Sequence, residues 1–238
     1  MNLVLFEADE ISKPLPLTDR RAIHILEVLR RRPGDSFDAG LIDGPRGKAT
    51  LQTMAEGALN FSLEWTSDVA APEPITVLVG LPRPQTARDI LRDATTLGVG
   101  ALHFVRTDKG DPNYASSTLW SSGEWRRHVI AGAEQAFHTR LPNVSHGRKL
   151  ADELSALPRS TTRLALDNYE STGALSQISA LTAPATLAIG SERGWSEPER
   201  ALLRSNGFEF VNLGPRVLRT ETACIAALSF VRAKLGLM

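Results

Sequence analysis

The fold is best predicted from one stretch, Val211-Asn212-Leu213-Gly214-Pro215-Arg216-Val217-Leu218-Arg219-Thr220-Glu221-Thr222-Ala223. An apolar run over Phe208–Leu213 has the composition of a buried β-strand, and it ends in a Gly-Pro turn. Small and apolar residues predict a helix over Ala223–Leu235. Polar groups between a buried strand and a buried helix are costly unless they are used. The polar cluster is therefore either a ligand site or the capped start of the helix, and composition alone favours neither.

Upstream of this stretch, apolar strands alternate with helices from Ile75 onward. Strands are predicted over Ile75–Leu81, Ala101–Val105, Arg163–Leu166, Thr186–Ile189 and Phe208–Leu213. Helices are predicted over Ala87–Leu97, over Ser122–Ala136, and from Ser196 to Asn206, where Ser196 and Glu199 have the capping-box spacing. This alternation predicts a mostly parallel α/β sheet. Ligands of such sheets bind at the carboxyl ends of strands, so the loops after residues 166, 189 and 213 are expected to form a site.

The chemistry of these loops narrows what they could bind. Glycines at 190 and 214 let the backbone approach a flat neutral ligand such as an adenine. Arginines and glutamates at 192, 216, 219 and 221 are groups that handle charge developing in a reaction. The sequence contains no G-x-G-x-x-G, P-loop or G-x-S-x-G motif. The residues thus predict a nucleoside-like ligand beside an anionic or anion-forming partner.

Residues 1–70 follow a different pattern, with short strands around one helix. Strands are predicted at Leu3–Phe6, Ser36–Ile42, Lys48–Thr53 and Leu59–Trp65, which suggests a small β-barrel. The helix is expected to begin after Asp19, and residues 19–32 hold five arginines against two acids, a net charge of +3. Arginine binds phosphate well, so these arginines are either a nucleic-acid contact or a solvated helix face.

A linker at Ala70-Ala71-Pro72-Glu73-Pro74 divides the chain into predicted domains at 1–70 and 75–238.

Composition sets the broad class of the protein. The 238 residues are 23% charged and 42% apolar with zero net charge, which is typical of a globular protein and neither supports nor excludes nucleic-acid binding. The single cysteine, Cys224, is expected as a small buried helix residue and fits a reducing compartment. Met1–Glu10 has three acids and no base, unlike a secretory signal, and no apolar run approaches the ~18 residues of a membrane span. A cytoplasmic location with no membrane is expected. Scattered histidines predict no metal.

Several segments of the chain resemble one known family. The residues that carry the resemblance are Leu187–Ser196 with Glu199, Leu213–Ala223, Arg21 and His24 with Val28-Leu29-Arg30, Gly34-Asp35, Asp43-Gly44, Leu97-Gly98-Val99 and Ala133-Glu134-Gln135. The family is RsmE, the small-subunit (16S) ribosomal RNA uridine-N3-methyltransferases of the SPOUT superfamily. One loop departs from the family, whose usual Gly-Pro-Glu-Gly-Gly reads Gly190-Ser191-Glu192-Arg193-Gly194 here.

The resemblance implies both a fold and an activity. The fold is a PUA-like β-barrel RNA-binding domain followed by an α/β SPOUT domain with a C-terminal trefoil knot, assembled as a homodimer. The activity is S-adenosylmethionine-dependent methylation of N3 of a specific uridine, with ribosomal RNA or the small ribosomal subunit as the partner. The alternatives are a methyltransferase with another RNA target, or a non-catalytic RNA- or ribosome-binding relative.

The resemblance also implies roles for individual residues. Arg219 is expected to stabilise a uracil anion, and Glu221 or Glu192 is expected to act as the base. The alternative role of Glu221 is a favourable electrostatic interaction with the start of the helix. Cofactor contacts fall to Leu166, Ile189, Gly190, Leu213, Gly214, Val217, Leu218 and Thr222. RNA contacts fall to Arg20, Arg21, His24 and Arg30, although His24 alone would be interpreted as a structural histidine.

Overall fold

The structure, a computed structural model, describes residues 3–66, 69, 71–158 and 160–238. Met1 and Asn2, part of the segment interpreted as unlike a secretory signal, and Ala70 of the predicted linker lie outside the described residues. The chain falls into two compact units. The first comprises Met1–Ala71 with Ala133–Leu141, and the second comprises Pro72–Gly132 with Pro142–Met238.

The first unit is a five-stranded sheet with one short helix. Its elements are β1 (Val4–Phe6), β2 (Leu15–Pro16), α1 (Arg20–Ile23), continued as a π-helical turn over His24–Val28, β3 (Ser36–Leu41), β4 (Arg46–Ala55) and β5 (Ala58–Trp65). The strand order is β1-β3-β4-β5-β2, and the core is a set of aromatic and aliphatic side chains that includes Phe6, Ile25 and Phe37. Within the described residues the two short edge strands do not pair, so the predicted barrel is corrected to a half-barrel.

Residues 133–141 belong to the first unit, although the sequence pattern assigns them to the 75–238 region. The hydroxyl of Thr139 donates to the carbonyl of Gly44 at 2.6 Å, and the N–H of Asp43 donates to the carbonyl of Thr139 at 2.9 Å. Arg46 donates to the carbonyl of Phe137 at 2.6 Å and lies over its ring. These contacts join positions about 90 residues apart, which neither composition nor periodicity reveals.

The second unit is built on a seven-stranded sheet in which every pair is parallel. Its strands are β6 (Ile75–Gly80), β7 (Ala101–Arg106), β8 (Asn143–Lys149), β9 (Thr162–Leu166), β10 (Gly173–Ala174), β11 (Ala185–Ile189) and β12 (Glu209–Asn212). The spatial order is β10-β12-β9-β11-β6-β7-β8. The predicted parallel α/β sheet is confirmed. The three strands that carry the predicted site loops, β12, β9 and β11, are neighbours.

Helices connect these strands. They are α2 (Pro84–Thr96), α3 (Thr118–Ser121), α4 (Glu124–Gln135), α5 (Leu150–Ala156), α6 (Glu197–Ser205) and α7 (Thr220–Lys234). The predicted capping box is confirmed at α6, where Ser196 accepts from the N–H of Glu199 and Glu199 accepts from the N–H of Ser196. Glu199 also accepts from the N–H of Asp108 at 2.8 Å, which ties the start of α6 to the loop after β7. In α7, Cys224 is fully buried, as expected, and burial raises the pKa of its thiol to about 12.

Several elements were not predicted from the sequence, and β8 and α5 are the longest of them. The edge strand β8 is made mostly of polar and charged residues and has no fully buried residue, so it lacks the apolar run of a central strand. Helix α5 follows it directly and has only seven residues, of which Leu150, Glu153 and Leu154 are buried. Apolar periodicity cannot identify elements this short or this exposed.

Candidate active site

Three loops of the second unit line one cavity of about 210 Å³. The loops follow β9, β11 and β12, and their shared position at the carboxyl edge of the sheet follows from the strand order. Six residues predicted to bind the cofactor line this cavity: Leu166, Ile189, Gly190, Leu213, Val217 and Leu218. The predicted residues Gly214 and Thr222 are not among its lining residues, and neither are Arg219 and Glu221. Glu192 does line it.

The loop after β9 is organised by a buried ion pair. Asp167, whose side chain is only 2% exposed, accepts from Nε of Arg200 at 2.7 Å. Its other oxygen accepts from the N–H groups of Tyr169 and Glu170, at 2.7 and 2.8 Å. Charged groups are rarely buried unless they are paired and hydrogen-bonded, and here two of the contacts hold backbone N–H groups of a cavity wall.

The loop after β11 is a tight turn with little spare room. The N–H of Gly194 donates to the carbonyl of Ser191 at 2.8 Å, and a Cβ at Gly190 would lie 2.9 Å from Cα of Gly194. The fully buried Trp195 donates its indole N–H to the carbonyl of Leu166 at 3.1 Å, which joins this loop to the loop after β9. The Ser191 hydroxyl is buried at the cavity and makes no hydrogen bond within the described residues. A polar ligand group could satisfy it.

Glu192 stands on the exposed side of the same loop. One of its carboxylate oxygens accepts from the N–H of Arg83 at 2.9 Å, and Nε of Arg83 lies 3.9 Å from that oxygen. The carboxylate therefore anchors the loop after β6 while it also lines the cavity. A carboxylate has two oxygens, so Glu192 can hold the N–H of Arg83 with one of them and keep the other for a ligand.

The loop after β12 forms the third wall. The side chain of Asn212 accepts from the N–H of Gly214 at 2.9 Å and donates to Ser171 at 2.9 Å, while Gly214 has φ +99°. Only glycine adopts this backbone conformation at low cost. Arg219 is exposed at the N-cap position of α7, without a side-chain capping bond, and Glu221 is half-buried in the first turn.

The phase of α7 decides which of its residues reach the cavity. The helix begins at Thr220, three residues before the predicted start at Ala223. Residues three apart lie on one helix face, so Thr220 and Ala223 both line the cavity, whereas the predicted Thr222 does not. The structure thus adds Thr220 to the site. It also adds residues that were given no individual role from the sequence: Asp167, Asn168, Tyr169, Ser191, Arg193, Gly194 and Asn212. Arg216, which was expected to handle charge, lines the cavity as well.

The predicted RNA contacts lie in the first unit, and Arg21 differs from the rest. Its Nε and Nη2 donate to Asp19 at 3.0 and 2.8 Å, and Nη1 and Nη2 donate to Glu10 at 2.7 and 2.8 Å. Nη1 also donates to the carbonyl of Leu5 at 3.1 Å. A guanidinium has five N–H donors, and all are used inside the protein. Arg21 therefore holds the chain before β2 against the helix and has no donor left for a phosphate.

The other predicted RNA contacts are placed differently. Arg20 and Arg30 are exposed, and His24 is half-buried at the start of the π-helical turn. The nearest carboxylate oxygen to Arg20 belongs to Glu134, at 4.0 Å. Arg30 has φ +54°, at the point where the chain leaves the turn. Arg20 and Arg30 can therefore present charge to solvent, while Arg21 cannot.

Arg21→Met is expected to lower the free energy of unfolding by about 2 kcal/mol at pH 7, because two carboxylates lose their charged hydrogen-bond partner. The hydrogen bonds from Arg21 hold the pKa of both Glu10 and Asp19 below their ordinary values of 4.5 and 3.8. A group whose pKa is lower in the folded state than in the unfolded state stabilises the protein at pH values above its unfolded-state pKa. This stabilisation is lost as the pH falls through the folded-state pKa. The difference between wild type and variant should therefore be full at pH 7 and shrink below about pH 4.

Urea titrations at pH 7 and pH 3 measure this difference. Arg20→Met is the matched control, since its side chain is 55% exposed, and it should change stability by less than about 0.5 kcal/mol. Equal effects of the two variants at pH 7 would contradict the structural role of Arg21.

Comparison with known proteins shows the family to which the chain belongs. A sequence profile for the family described as RNA methyltransferase domain matches residues 70–232. The Ribosomal RNA small subunit methyltransferase E of Treponema pallidum is 36% identical over 242 residues, covering 98% of this chain and 91% of that relative. The chain belongs to the ribosomal RNA small subunit methyltransferase E family. The resemblance recognised in its motifs is thereby confirmed.

Other members of the methyltransferase E family agree with this placement. The protein from Synechocystis is 30% identical over 239 residues, covering 98% of this chain and 77% of the relative. The crystal structure of the Neisseria gonorrhoeae member, bound to S-adenosyl methionine, has a TM-score of 0.80 at 24% identity and covers 99% of this chain and 98% of that one. This likeness shows that the fold is shared.

Two other kinds of feature are absent from the part of the chain that the structure describes. None of its helices combines the length and apolarity needed to cross a membrane. No group of three or more His, Cys, Asp or Glu side chains there could hold a metal ion.

Proposed function

We propose that this protein methylates N3 of a uridine in small-subunit (16S) ribosomal RNA and uses S-adenosylmethionine as the methyl donor. The observation that carries the proposal is the convergence of six residues, assigned to the cofactor by family motifs, on one cavity at the carboxyl edge of the sheet. Relatives named as small-subunit ribosomal RNA methyltransferases, and a related structure bound to S-adenosyl methionine, support the same activity.

The residues of the cavity fit this cofactor. Leu166, Ile189 and Leu218 offer apolar surface for an adenine ring, and the backbone of Gly190 and Leu213 at the cavity wall offers hydrogen bonds to its edge. The buried Ser191 hydroxyl lacks a partner among the described residues, so it can bond a polar group of the ligand. When bound, S-adenosylmethionine supplies a methyl group carried on a positively charged sulfur.

The chain must prepare the uracil for this transfer. N3 of uracil carries a proton and becomes a good nucleophile only when that proton has been removed. Glu192 or Glu221 is proposed as the base, and Glu192 lines the cavity with one carboxylate oxygen already held by the N–H of Arg83. Arg219, exposed beside the cavity wall at the start of α7, is proposed to stabilise the negative charge on the ring. Most of the rate gain would come from alignment of the reacting atoms.

The finer features of the fold are also part of the proposal. We infer a trefoil knot from the resemblance of the loops after β11 and β12 to the family's motifs, and the packing of α7 against β11 and α2 is compatible with it. A PUA-like RNA-binding role for the first unit is supported by the exposed Arg20 and Arg30. A homodimer is supported by Phe230, which is 42% exposed on α7. We propose a cytoplasmic location, which the single cysteine fits.

Two measurements test the proposed function. Calorimetric titration with S-adenosylmethionine should show saturable binding at one site per chain, and its absence from folded protein would favour a non-catalytic RNA- or ribosome-binding relative. Mass spectrometry of ribosomal RNA from a strain lacking the gene should show the loss of one N3-methyluridine in the small-subunit RNA. If that RNA kept every N3-methyluridine while the cofactor still bound, the target would be another RNA.

Arg219→Ala is expected to leave the Kd for S-adenosylmethionine unchanged within about twofold, because the side chain does not line the cavity. The same change should lower kcat about 100-fold or more, the usual cost of losing one charge-stabilising donor. Calorimetry and the transfer of a radiolabelled methyl group to small ribosomal subunits measure the two quantities. Arg204→Ala, an exposed arginine on α6, is the control and should match wild type. Full turnover by Arg219→Ala would exclude the proposed role.

A further inference from the structure

One aromatic side chain of the cavity wall is exposed. Tyr169 lines the cavity, yet it is 82% exposed, whereas the Trp195 that supports the same walls is fully buried. An aromatic ring gains most free energy when its apolar faces are removed from water. Nothing within the described second unit provides this burial, so the ring presents binding surface toward solvent at the edge of the cavity.

The backbone beneath this ring is fixed. The carboxylate of Asp167 accepts from the N–H groups of Tyr169 and of Glu170, and Arg200 holds that carboxylate from the protein interior. The side chains of Asp167 and Arg200 are 2% and 10% exposed, so the ion pair is shielded from water. Tyr169 is thus exposed on a loop that is held by buried charged hydrogen bonds.

The ring also has an inner and an outer side. The guanidinium carbon of Arg200 lies 5.5 Å from the ring centroid, within the range of a cation–π contact. Because Arg200 is nearly buried, this contact occupies the side of the ring that faces the protein. The exposed area is therefore mostly the opposite side, which borders the cavity with the exposed Arg216 among the other lining residues.

We propose that Tyr169 stacks on the target uracil when the RNA presents that base, unstacked, at the mouth of the cavity. The inference rests on the proposed function and names a substrate-binding residue for it. A base must leave its helical stack before chemistry can reach its ring nitrogen, and an aromatic ring at the rim compensates for the stacking that the base loses. The cavity interior offers aliphatic walls and the Ser191 hydroxyl, which suit the cofactor. The exposed ring at the rim is placed for a ligand that arrives from solvent.

Two variants at this position isolate stacking from other effects. Tyr169→Leu keeps an apolar side chain and removes the ring, whereas Tyr169→Phe keeps the ring and removes the hydroxyl. The assay uses small ribosomal subunits from a strain that lacks the gene, with KM and kcat from radiolabelled methyl transfer and the Kd for S-adenosylmethionine from calorimetry. Loss of one base–aromatic stack should raise KM for the subunits about 5- to 100-fold in Tyr169→Leu. Its Kd for the cofactor should stay within about twofold of wild type, and Tyr169→Phe should resemble wild type in all three quantities.

Each other outcome overturns the assignment. If Tyr169→Leu weakens cofactor binding as much as it raises KM, the ring belongs to the adenine site. If it changes neither quantity, the ring has no ligand role, and if its mass in solution is halved, the ring belongs to a subunit interface. Wild-type protein that binds no S-adenosylmethionine would refute the proposed function itself and this inference with it. Wild-type activity with an unaffected Tyr169→Leu variant would refute only the inference.

Discussion

Gly190→Ala is expected to weaken S-adenosylmethionine binding about 10- to 100-fold. The new Cβ would lie 2.9 Å from Cα of Gly194, 3.0 Å from its carbonyl carbon and 3.2 Å from the backbone nitrogen of Trp195. All three are backbone atoms, so no side chain can turn aside, and the turn over residues 191–194 must move. Overpacking of this kind costs about 1–3 kcal/mol, and the displaced turn is a cavity wall. Calorimetric titration of the variant measures the loss of affinity.

A second glycine separates this effect from general destabilisation. Gly207 lies after α6 with φ +78°, and a Cβ added there would meet no atom of a non-neighbouring residue within 4 Å. Alanine at this position therefore adds backbone strain without a clash. Gly207→Ala should lower the free energy of unfolding by about 1 kcal/mol and leave the Kd for the cofactor unchanged. Similar losses of affinity in both variants would show that the Gly190 effect is global and would remove the steric argument.

Arg200→Met is expected to lower the free energy of unfolding by about 3–5 kcal/mol. The methionine fills similar volume but leaves the Asp167 carboxylate buried without its charged partner, and loss of one member of a buried ion pair has this cost. The same carboxylate holds the loop that carries Tyr169 and Glu170, so cofactor affinity should fall as well. Urea unfolding with and without S-adenosylmethionine measures both effects.

Arg204→Met is the matched control for that change. Arg204 lies one turn further along α6 and also pairs with Glu170, but its side chain is 49% exposed. Exposed ion pairs contribute roughly 0–1 kcal/mol, so this variant should remain within about 1 kcal/mol of wild type. A loss as large as that of Arg200→Met would mean that Glu170, rather than the buried Asp167, holds the loop.

The sequence was most informative where local rules decide the structure. The capping box of Ser196 and Glu199 fixed the start of α6 because it needs only residues three apart. Apolar runs identified the central strands because strands covered on both faces must be apolar along their length. Together with the rule that ligands meet the carboxyl ends of parallel strands, this placed Leu166, Ile189 and Leu213 at one cavity.

The remaining features depend on contacts between distant residues. The role of Arg21 is set by Glu10, eleven positions away, and by Asp19, whereas the sequence shows only a cluster of arginines. The importance of Asp167 comes from Arg200, thirty-three positions later. Thr222 was taken from the family resemblance, whereas Thr220 lines the cavity because α7 begins there, three residues before the predicted start at Ala223.

The strand order of the second unit has a consequence for protein synthesis. β9 is hydrogen-bonded on one side to β11 and on the other to β12, and the ribosome makes both of these strands after it. Until β11 and β12 have been synthesised, both edges of β9 are therefore unpaired. Of the three loops that line the cavity, the one within residues 212–223 is synthesised last. Parallel pairing between such distant segments is slow, and exposed edges invite association with other chains. The nascent protein thus acquires its complete cofactor cavity only after residues 212–223 have been translated.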